Sequence, residues 1–428
     1  MACAARRLRI GSALPLGCAL AMLAPTCAAA SDLRLFTPDT VSANADVRFV
    51  AVDGEKSWVN GGFGKLRSGS NGDLRVLPEL GNANLIWQPQ FTWSLSATVV
   101  GVLQGGERTE AGISQAFLSF RPMRSATGAS FSARAGLMWP PVSLEHEGAD
   151  WHVRDSITPS AINSWIGEEV KPVAAEATVA TTLGLHKLRA SAAVIAANDT
   201  SGTLLTFRGW ALHDRVTLAL RRQPLPPLGD VWSPMQAPYT HPLIDLDHGF
   251  AHRPGYYAKL SWQPPVPLRL ELFRYDNRTD PKDVNDDLEW GWHTQFDNVG
   301  AVAELGGGAT AKMQVLQGRT RMGYAMDGHR WVDNRFRSAF VMLSKPIGAY
   351  GLAARLEAFG TRNSGSLWDS EYDESGWSAM VAGKREWGRV TGLIELLHVA
   401  SNSPAREHSE LPSRQRQTQL QAELRMGW

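Results

Sequence analysis

The chain has 428 residues, with 43 Lys and Arg against 42 Asp and Glu and a formal net charge of +1. This balance excludes a polybasic nucleic-acid binder and a polyacidic tail protein. With 43% hydrophobic and 20% charged residues and a mean hydropathy of -0.21, the chain is too apolar for disorder and too polar for a bundle of membrane helices. It also contains 16 Trp against only 7 Tyr, and these indoles need a structural explanation.

The first 30 residues have the pattern of a secretory signal peptide, with cleavage after Ala30. Arg6, Arg7 and Arg9 form a positive start, and residues 10–23 form an apolar stretch. Removal of residues 1–30 leaves 398 residues, with 40 basic against 42 acidic side chains. All 3 cysteines lie in the removed segment, so the exported chain contains no disulfide, thiolate metal site or cysteine nucleophile.

The rest of the chain alternates apolar and polar side chains with the period of β-strands. The runs lie at 91–103, 130–139, 187–196, 256–262, 268–272, 350–358 and 416–428. In the last run, Leu420 and Leu424 share one face with Trp428, while Gln421 and Glu423 lie on the other. The longest runs exceed the usual strand length of about 5 to 6 residues. They match the roughly 9 to 11 residues that a tilted strand needs to cross a bilayer.

The connections between the runs are of two kinds. Short ones lie at 184–186, 263–267, 346–349 and 387–388, and long polar ones at 139–172, 223–254, 276–289 and 401–414. Short turns at one end and long loops at the other are typical of outer-membrane barrels. No segment after residue 30 approaches the roughly 18 apolar residues of a membrane helix. We therefore predict an all-β fold, with 31–428 forming one transmembrane antiparallel β-barrel of about 16 strands, or alternatively 18.

These features resemble a Gram-negative outer-membrane porin, of the 16- or 18-stranded general or phosphate-selective type. The resemblance covers residues 31–428 and implies a cell outer membrane location and passive diffusion of small hydrophilic solutes, without a cofactor or a reaction. It further implies contact with outer-membrane lipid and lipopolysaccharide, and a homotrimer. Leu424, Met426 and Trp428 would be the signal read by the barrel-assembly machinery. Trp428 replaces the Phe that is usual in such porins, although it remains aromatic.

Ten charged residues on the polar faces of the runs are candidates for the pore lining. They are Arg134, Lys187, Arg189, Lys259, Arg269, Glu271, Arg355, Glu357, Glu423 and Arg425. In a barrel of this size we expect the inward face to be wetted and the lumen to admit solutes. Seven basic against three acidic residues indicate a wall that favours anions. The alternative is that these charges are only solvated and paired across strands.

The segment 139–172 is the candidate for a loop that folds into the lumen and narrows it. Its charged residues are Glu145, Glu147, Asp150, Arg154, Asp155, Glu168, Glu169 and Lys171, a formal charge of -4. Apolar residues such as Ile162 and Trp165 favour this location, because they need a surface to pack on. An acidic loop opposite a basic wall would produce a transverse field, and the preference for cations or anions stays open. The alternative is an exposed extracellular loop.

Two other functions remain as alternatives. A barrel enzyme acting on lipids would need a nucleophile beside His398, but Ser401 faces the other side of the same strand, which leaves Ser403. A non-conducting scaffold or adhesin would have a blocked lumen. We predict no metal site, because the spacing of His241, His248 and His252 within one loop fixes no coordination geometry.

Overall fold

The computed structural model describes residues 33–121, 128–197, 200–241, 253–367 and 372–428. Within these ranges, sixteen antiparallel strands form one closed barrel, in which the first strand pairs with the last. The prediction of an all-β barrel with about 16 strands is confirmed. The predicted signal peptide, residues 1–30, lies outside the described residues.

The barrel strands follow one another around the wall in the order of the chain. They are β1 Val41–Asp53, β2 Arg75–Trp87, β3 Leu95–Gln104, β4 Glu110–Phe120, β5 Ser130–Leu137, β8 Val173–Leu183, β9 His186–Ala197, β12 Gly255–Gln263, β13 Leu268–Asp276, β14 His293–Glu304, β15 Thr310–Met326, β16 His329–Ile347, β17 Tyr350–Asn363, β18 Glu374–Trp387, β19 Val390–Asn402 and β20 Arg414–Gly427. The run predicted at 91–103 begins only at β3, because residues 91–94 form a turn closed by hydrogen bonds to Leu95.

The long connections carry the other secondary structure. Two short ribbons pair β6 His146–Glu147 with β7 His152–Val153, and β10 Gln223–Pro224 with β11 Tyr239–Thr240. The α-helices in the described residues are α1 Ala161–Glu169 and α2 Thr203–Phe207, and short 3-10 helices lie at Trp58–Asn60, Gly306–Gly308 and Pro404–Ser409. No helix in the described part of the chain has the length and apolar character needed to cross a membrane.

The outer wall of the barrel is apolar because each strand turns alternate side chains outward. On β20, Leu420 and Leu424 are 47% and 50% exposed, whereas Gln419 and Gln421, on either side of Leu420, are 2% exposed. A closed ring of paired strands also leaves no edge with unpaired peptide groups. An apolar outer wall on such a ring is the arrangement that lipid requires.

The two ends of the barrel differ in the length of their connections. One end carries the strand ends that are joined by 88–94, 121–129, 184–185, 264–267, 305–309, 348–349 and 388–389, together with the end of the last strand. The other end carries the strand ends that are joined by 54–74, 105–109, 138–172, 198–254, 277–292, 327–328, 364–373 and 403–413. We call these the short-turn end and the long-loop end. In outer-membrane barrels the short turns are periplasmic and the long loops extracellular.

Most of the buried tryptophans lie inside the barrel or beneath its loops. Trp58, Trp139, Trp165, Trp210, Trp232 and Trp292 are at most 1% exposed. Trp165 packs edge-to-face on Phe296 and Phe336 of the wall, with ring centroids 5.3 and 5.1 Å apart. A second set, Trp93, Trp262, Trp377, Trp387 and Trp428, is exposed. Only this second set has the exposure of an aromatic girdle at a lipid–water boundary.

Candidate functional site

The segment 138–172 lies inside the barrel, and every residue of its helix α1 is buried. Ser160 caps the helix, since its Oγ accepts a hydrogen bond from the Asn163 backbone N–H at 3.4 Å. The Ala161 backbone N–H donates to Glu357 Oε2 of strand β17 at 2.7 Å. A carboxylate is favourable at a helix N-terminus because it meets unpaired N–H groups and the positive end of the dipole. The wall therefore fixes the start of this helix.

Glu145 and Arg355 form a buried ion pair between this segment and the wall. Arg355 Nη1 lies 2.9 Å from Glu145 Oε1, and both side chains are 0% exposed. The same guanidinium donates to the carbonyl oxygens of Thr158 and Pro159 at 2.9 and 3.0 Å. Burial alone would raise the pKa of the Glu145 carboxyl, but Arg355 and the hydrogen bonds from Ser160 hold it below its ordinary value. Removal of either side chain would leave the other charge buried with less compensation, and this would lower the free energy of unfolding.

A second carboxylate of the wall, Glu395 of β19, holds the turn that precedes α1. Its Oε2 accepts hydrogen bonds from the backbone N–H groups of Ile157 at 2.7 Å and Thr158 at 3.0 Å. Gln421 of β20 donates to Thr158 Oγ1 at 3.1 Å. The segment is thus attached to β17, β19 and β20 through polar groups that the strands turn inward.

The other end of α1 meets a second inward segment, residues 200–219. Glu168 accepts two hydrogen bonds from Arg208, both of 2.7 Å, and lies 3.2 Å from His213 Nε2. Burial opposes ionisation of Glu168, but Arg208 and His213 outweigh it and hold the pKa of this carboxyl at about 2. The sequence predicted that the acidic loop carrying Glu168 faces the basic wall. In the structure, the partners of Glu168 lie instead on the second inward segment.

Glu169, next to it, has the opposite environment. Its carboxylate accepts hydrogen bonds from Trp165 Nε1 at 2.7 Å and the Leu204 N–H at 2.8 Å. Burial raises the pKa of Glu169 to about 7, and the charge of Glu168 acts in the same direction. Neither carboxylate lines an open passage, since both are nearly inaccessible to water.

Lys171 ends the segment and is also buried. Its Nζ donates to the Thr217 carbonyl and lies 4.9 Å from the centre of the Trp139 ring. Burial holds the pKa of the Lys171 amine well below its usual range. The hydrogen bond to the Thr217 carbonyl joins the two inward segments, whereas the contact with the Trp139 ring lies within the first of them.

The remaining charged residues of 138–172 lie toward the short-turn end. Glu147 and Arg154 are exposed. Asp150 accepts a hydrogen bond from Asn44 Nδ2 at 2.8 Å, and Asp155 pairs with Lys384 Nζ at 3.0 Å.

Sequence reasoning missed the inward segment 200–219. Its Asp214 bridges Arg48 of β1 at 2.6 Å and Arg67 of the connection 54–74 at 2.8 Å. Its Arg215 pairs with Glu110 of β4 at 3.0 Å. The signal that could have found it is the alternation of Trp210, Leu212, Val216 and Leu218, interrupted by Asp214, but this pattern is hard to distinguish from that of a strand.

The ten wall candidates all lie on the inward face, and most are paired. Side-chain ion pairs join Arg134 to Glu176 (2.9 Å), Lys259 and Arg269 to Glu271 (2.7 and 3.1 Å), Arg355 to Glu357 (3.4 Å) and Arg425 to Glu423 (2.8 Å). For Lys187 and Arg189 no ion pair or hydrogen bond of the side chain is found within the described ranges. Both side chains are exposed.

At mid-height the expectation of a wetted inner face is wrong. Inward side chains there, such as Gln314 and Leu316, are 0% exposed because the inward segments fill the lumen beside them. Water reaches the inner wall near the short-turn end. There a cavity of about 280 Å³ is lined by Ser130, Lys187, Arg189, Ser261, Gln263 and Arg269, among other residues.

We call the group Lys187, Arg189, Lys259 and Arg269 the basic vestibule. These residues lie on the adjacent strands β9, β12 and β13. Glu271 is the acidic partner of two of them. This sector of the short-turn end therefore carries an excess of positive charge that solutes can reach.

His398, Ser401 and Ser403 are the residues considered for lipid hydrolysis. His398 faces outward and lies 2.9 Å from Thr418 Oγ1, whereas Ser401 is buried on the inner face, so they form no nucleophile–base pair. Ser403 is buried, and its N–H donates to the Ser413 carbonyl. Within the described ranges, no three His, Asp or Glu side chains are grouped to hold a metal ion. His248 and His252 lie outside those ranges.

The terminal residues predicted as the assembly signal lie on the outer wall. Leu424 and Trp428 are exposed, and Met426 pairs with Ala45 of β1 and Val390 of β19. The last strand therefore closes the barrel and turns these side chains outward.

Comparison with known proteins shows the fold. No family model matches the chain, and no curated protein matches it in sequence. The chain is similar in structure to the outer-membrane channel DcaP of Acinetobacter baumannii, with 8% identity, a TM-score of 0.53, and 92% of this chain and 99% of that chain covered. It is also similar to the anion-selective porin of Comamonas acidovorans, with 10% identity, a TM-score of 0.50, and 91% and 99% covered. The chain is a closed 16-stranded β-barrel with the fold of the outer-membrane porins.

Proposed function

We propose that the protein is an outer-membrane channel through which small hydrophilic solutes diffuse, and that its periplasmic mouth favours anions. The porin fold and the N-terminal pattern of a signal peptide support the location. The observation that carries the anion preference is the basic vestibule, in which Lys187 and Arg189 face accessible space without an acidic partner in the described residues.

The vestibule acts by concentrating anions at one mouth of the lumen. Lys259 and Arg269 share one carboxylate, so four cations face one anion in this sector. The Debye length is about 10 Å at 0.1 M salt and about 3 Å at 1 M salt. A positive vestibule therefore raises the local anion concentration at low salt and loses its effect at high salt.

The segments 138–172 and 200–219 set the resistance of the pathway. They fill the lumen at mid-height and join β17, β19 and β20 to β1 and β4 through buried polar contacts. A solute must pass between or beside these segments, so we expect a small single-channel conductance. The segment 139–172 thus acts as the constriction, with 200–219 as its second half.

Planar-bilayer recording tests this function. The wild-type protein is compared with Lys187→Gln/Arg189→Gln and with a control, Lys345→Gln/Arg389→Gln, which removes two exposed cations at the same end from the outer wall and a turn. In a tenfold KCl gradient around 0.1 M, we expect an anion-selective reversal potential for the wild type and the control, and a shift toward zero for the vestibule variant. Equal selectivity in all three proteins would contradict the role of the vestibule.

A non-conducting scaffold is the second candidate, because the lumen is filled at mid-height. Refolded wild-type protein that inserts into the bilayer without discrete current steps would favour it. Insertion is checked separately by heat-modifiable migration in gels and by protease protection in vesicles.

A further inference from the structure

The outer wall near the long-loop end carries a cluster of arginines. We call it the arginine belt: Arg274 on β13, Arg319 and Arg321 on β15, Arg335 and Arg337 on β16, and Arg362 on β17. The neighbours of these arginines along each strand point inward. Arg335 and Arg337, for example, flank Phe336, which is 2% exposed. The belt therefore points away from the lumen.

The belt begins where the apolar outer wall ends. On β13 and β16, the outward residue next to the belt on the side of the short-turn end is Leu272 or Ala339; on β15, Gln317 lies between Arg319 and the next apolar outward residue, Val315. Leu272 and Val315 are 54% and 47% exposed, as lipid-facing side chains are. In a bilayer the guanidinium groups would lie at the level of the lipid headgroups on the long-loop side.

The pairing register places like charges beside one another. Arg335 is directly opposite Arg319 on one neighbouring strand and directly opposite Arg362 on the other. Like charges in directly opposed positions destabilise a sheet. Three arginines in one row of the outer wall are therefore unfavourable unless an anion lies among them.

The protein itself supplies too few anions for the belt. Arg274 pairs with Asp297 at 2.7 Å, Arg319 pairs with Asp333, and Asp373 lies close enough to Arg362 to interact with its charge, so three carboxylates face six arginines. Within the described ranges, no hydrogen bond or ion pair is found for the guanidinium groups of Arg335, Arg337 and Arg362. These are three exposed cations in adjacent positions.

A groove of about 770 Å³ runs along the belt and is lined by all of its arginines except Arg321. Guanidinium groups bind phosphate through two parallel hydrogen bonds, which gives both charge neutralisation and fixed geometry. A ligand at this place must combine anionic oxygens with acyl chains that lie on the apolar wall below. We propose that the belt binds the phosphorylated glucosamine headgroup of lipid A in the outer leaflet, with its acyl chains packed on the wall around Leu272 and Val315.

Native mass spectrometry of the full barrel in detergent tests this site. Bisphosphorylated lipid A is titrated into the wild type, into Arg335→Gln/Arg337→Gln, and into the control Lys345→Gln/Arg389→Gln. Lys345 lies on the same strand at the opposite end, and Arg389 lies at that end on the turn between β18 and β19, so the control removes the same charge. We expect at least tenfold weaker binding to the belt variant and unchanged binding to the control. Dephosphorylated lipid A should bind the wild type at least tenfold more weakly than the bisphosphorylated form.

Three results would overturn the proposal. The first is that the wild type and the belt variant bind lipid A with equal affinity. The second is that the wild type binds the two forms of lipid A equally. The third is that millimolar inorganic phosphate releases lipid A, which would indicate a site for a free anion. If the wild type is oligomeric without lipid and the belt variant is monomeric, the belt is a contact between copies of the chain. Correct folding of each variant is checked by its β-rich circular dichroism spectrum and heat-modifiable migration.

Discussion

Replacement of Arg355 by Gln should release the segment 138–172 from the barrel wall. The guanidinium is the buried partner of Glu145 and also donates to the carbonyl oxygens of Thr158 and Pro159. Removing one partner of a buried ion pair costs about 3 to 5 kcal/mol, because the other charge stays buried without compensation. We expect a loss of this size in the free energy of unfolding, measured by urea denaturation with tryptophan fluorescence in lipid vesicles.

The same substitution should raise the conductance, because the segment fills the lumen at mid-height. The double variant Glu145→Gln/Arg355→Gln should recover part of the lost stability, since it removes one of the two carboxylates left unpaired, the other being Glu357, and it yields the coupling energy of the Glu145–Arg355 pair. Lys345→Gln serves as the control on the outer wall. A loss below about 1 kcal/mol together with unchanged conductance would refute the reasoning, as buried pairs are not normally so weakly coupled.

Three further predictions concern packing and pH. Trp165→Ala should destabilise the barrel by about 3 to 5 kcal/mol in the same urea assay, because the indole is fully buried. Gly318→Val should prevent the wall from closing normally, since a Cβ at Gly318 would lie 2.4 Å from the Phe336 ring; heat-modifiable migration measures closure. Burial raises the pKa of Glu169 to about 7, so the folded protein favours the neutral carboxyl. The resulting contribution to the free energy of unfolding is complete below the ordinary pKa of 4.5 and is lost as the pH rises through 7. The free energy of unfolding of the wild type, measured relative to that of Glu169→Gln, should therefore fall by roughly 3 kcal/mol from pH 5 to pH 8.

The strands and the two ends of the barrel could be predicted because their signal is local. Alternation with period two identifies which side chains of a strand share a face, and it placed Glu423 and Arg425 on the inner side and Leu424 on the outer side. Loop length alone separated the two ends. Neither prediction requires knowledge of which distant residues touch.

The content of the lumen could not be predicted in the same way. Glu145 and Arg355 are 210 positions apart, and nothing in either local sequence identifies the other. The segment 200–219 was missed because its alternation arises from packing inside the barrel, which looks the same in sequence as a strand against lipid. The same ambiguity affects tryptophan: Trp210 and Trp262 both lie near alternating residues, but one is in the lumen core and the other on the outer wall.

The charges of the interior are arranged so that the two inward segments depend on each other. Glu168 of one segment binds Arg208 and His213 of the other, while Glu145 connects its segment to β17 and Asp214 connects its segment to β1. If one segment moved alone, it would leave buried charges unpaired on the other, which is more costly than exposing both to water together. Rearrangement of the lumen should therefore be concerted, and recordings should show two discrete conductance levels. A continuous distribution of current levels would mean that the segments move independently.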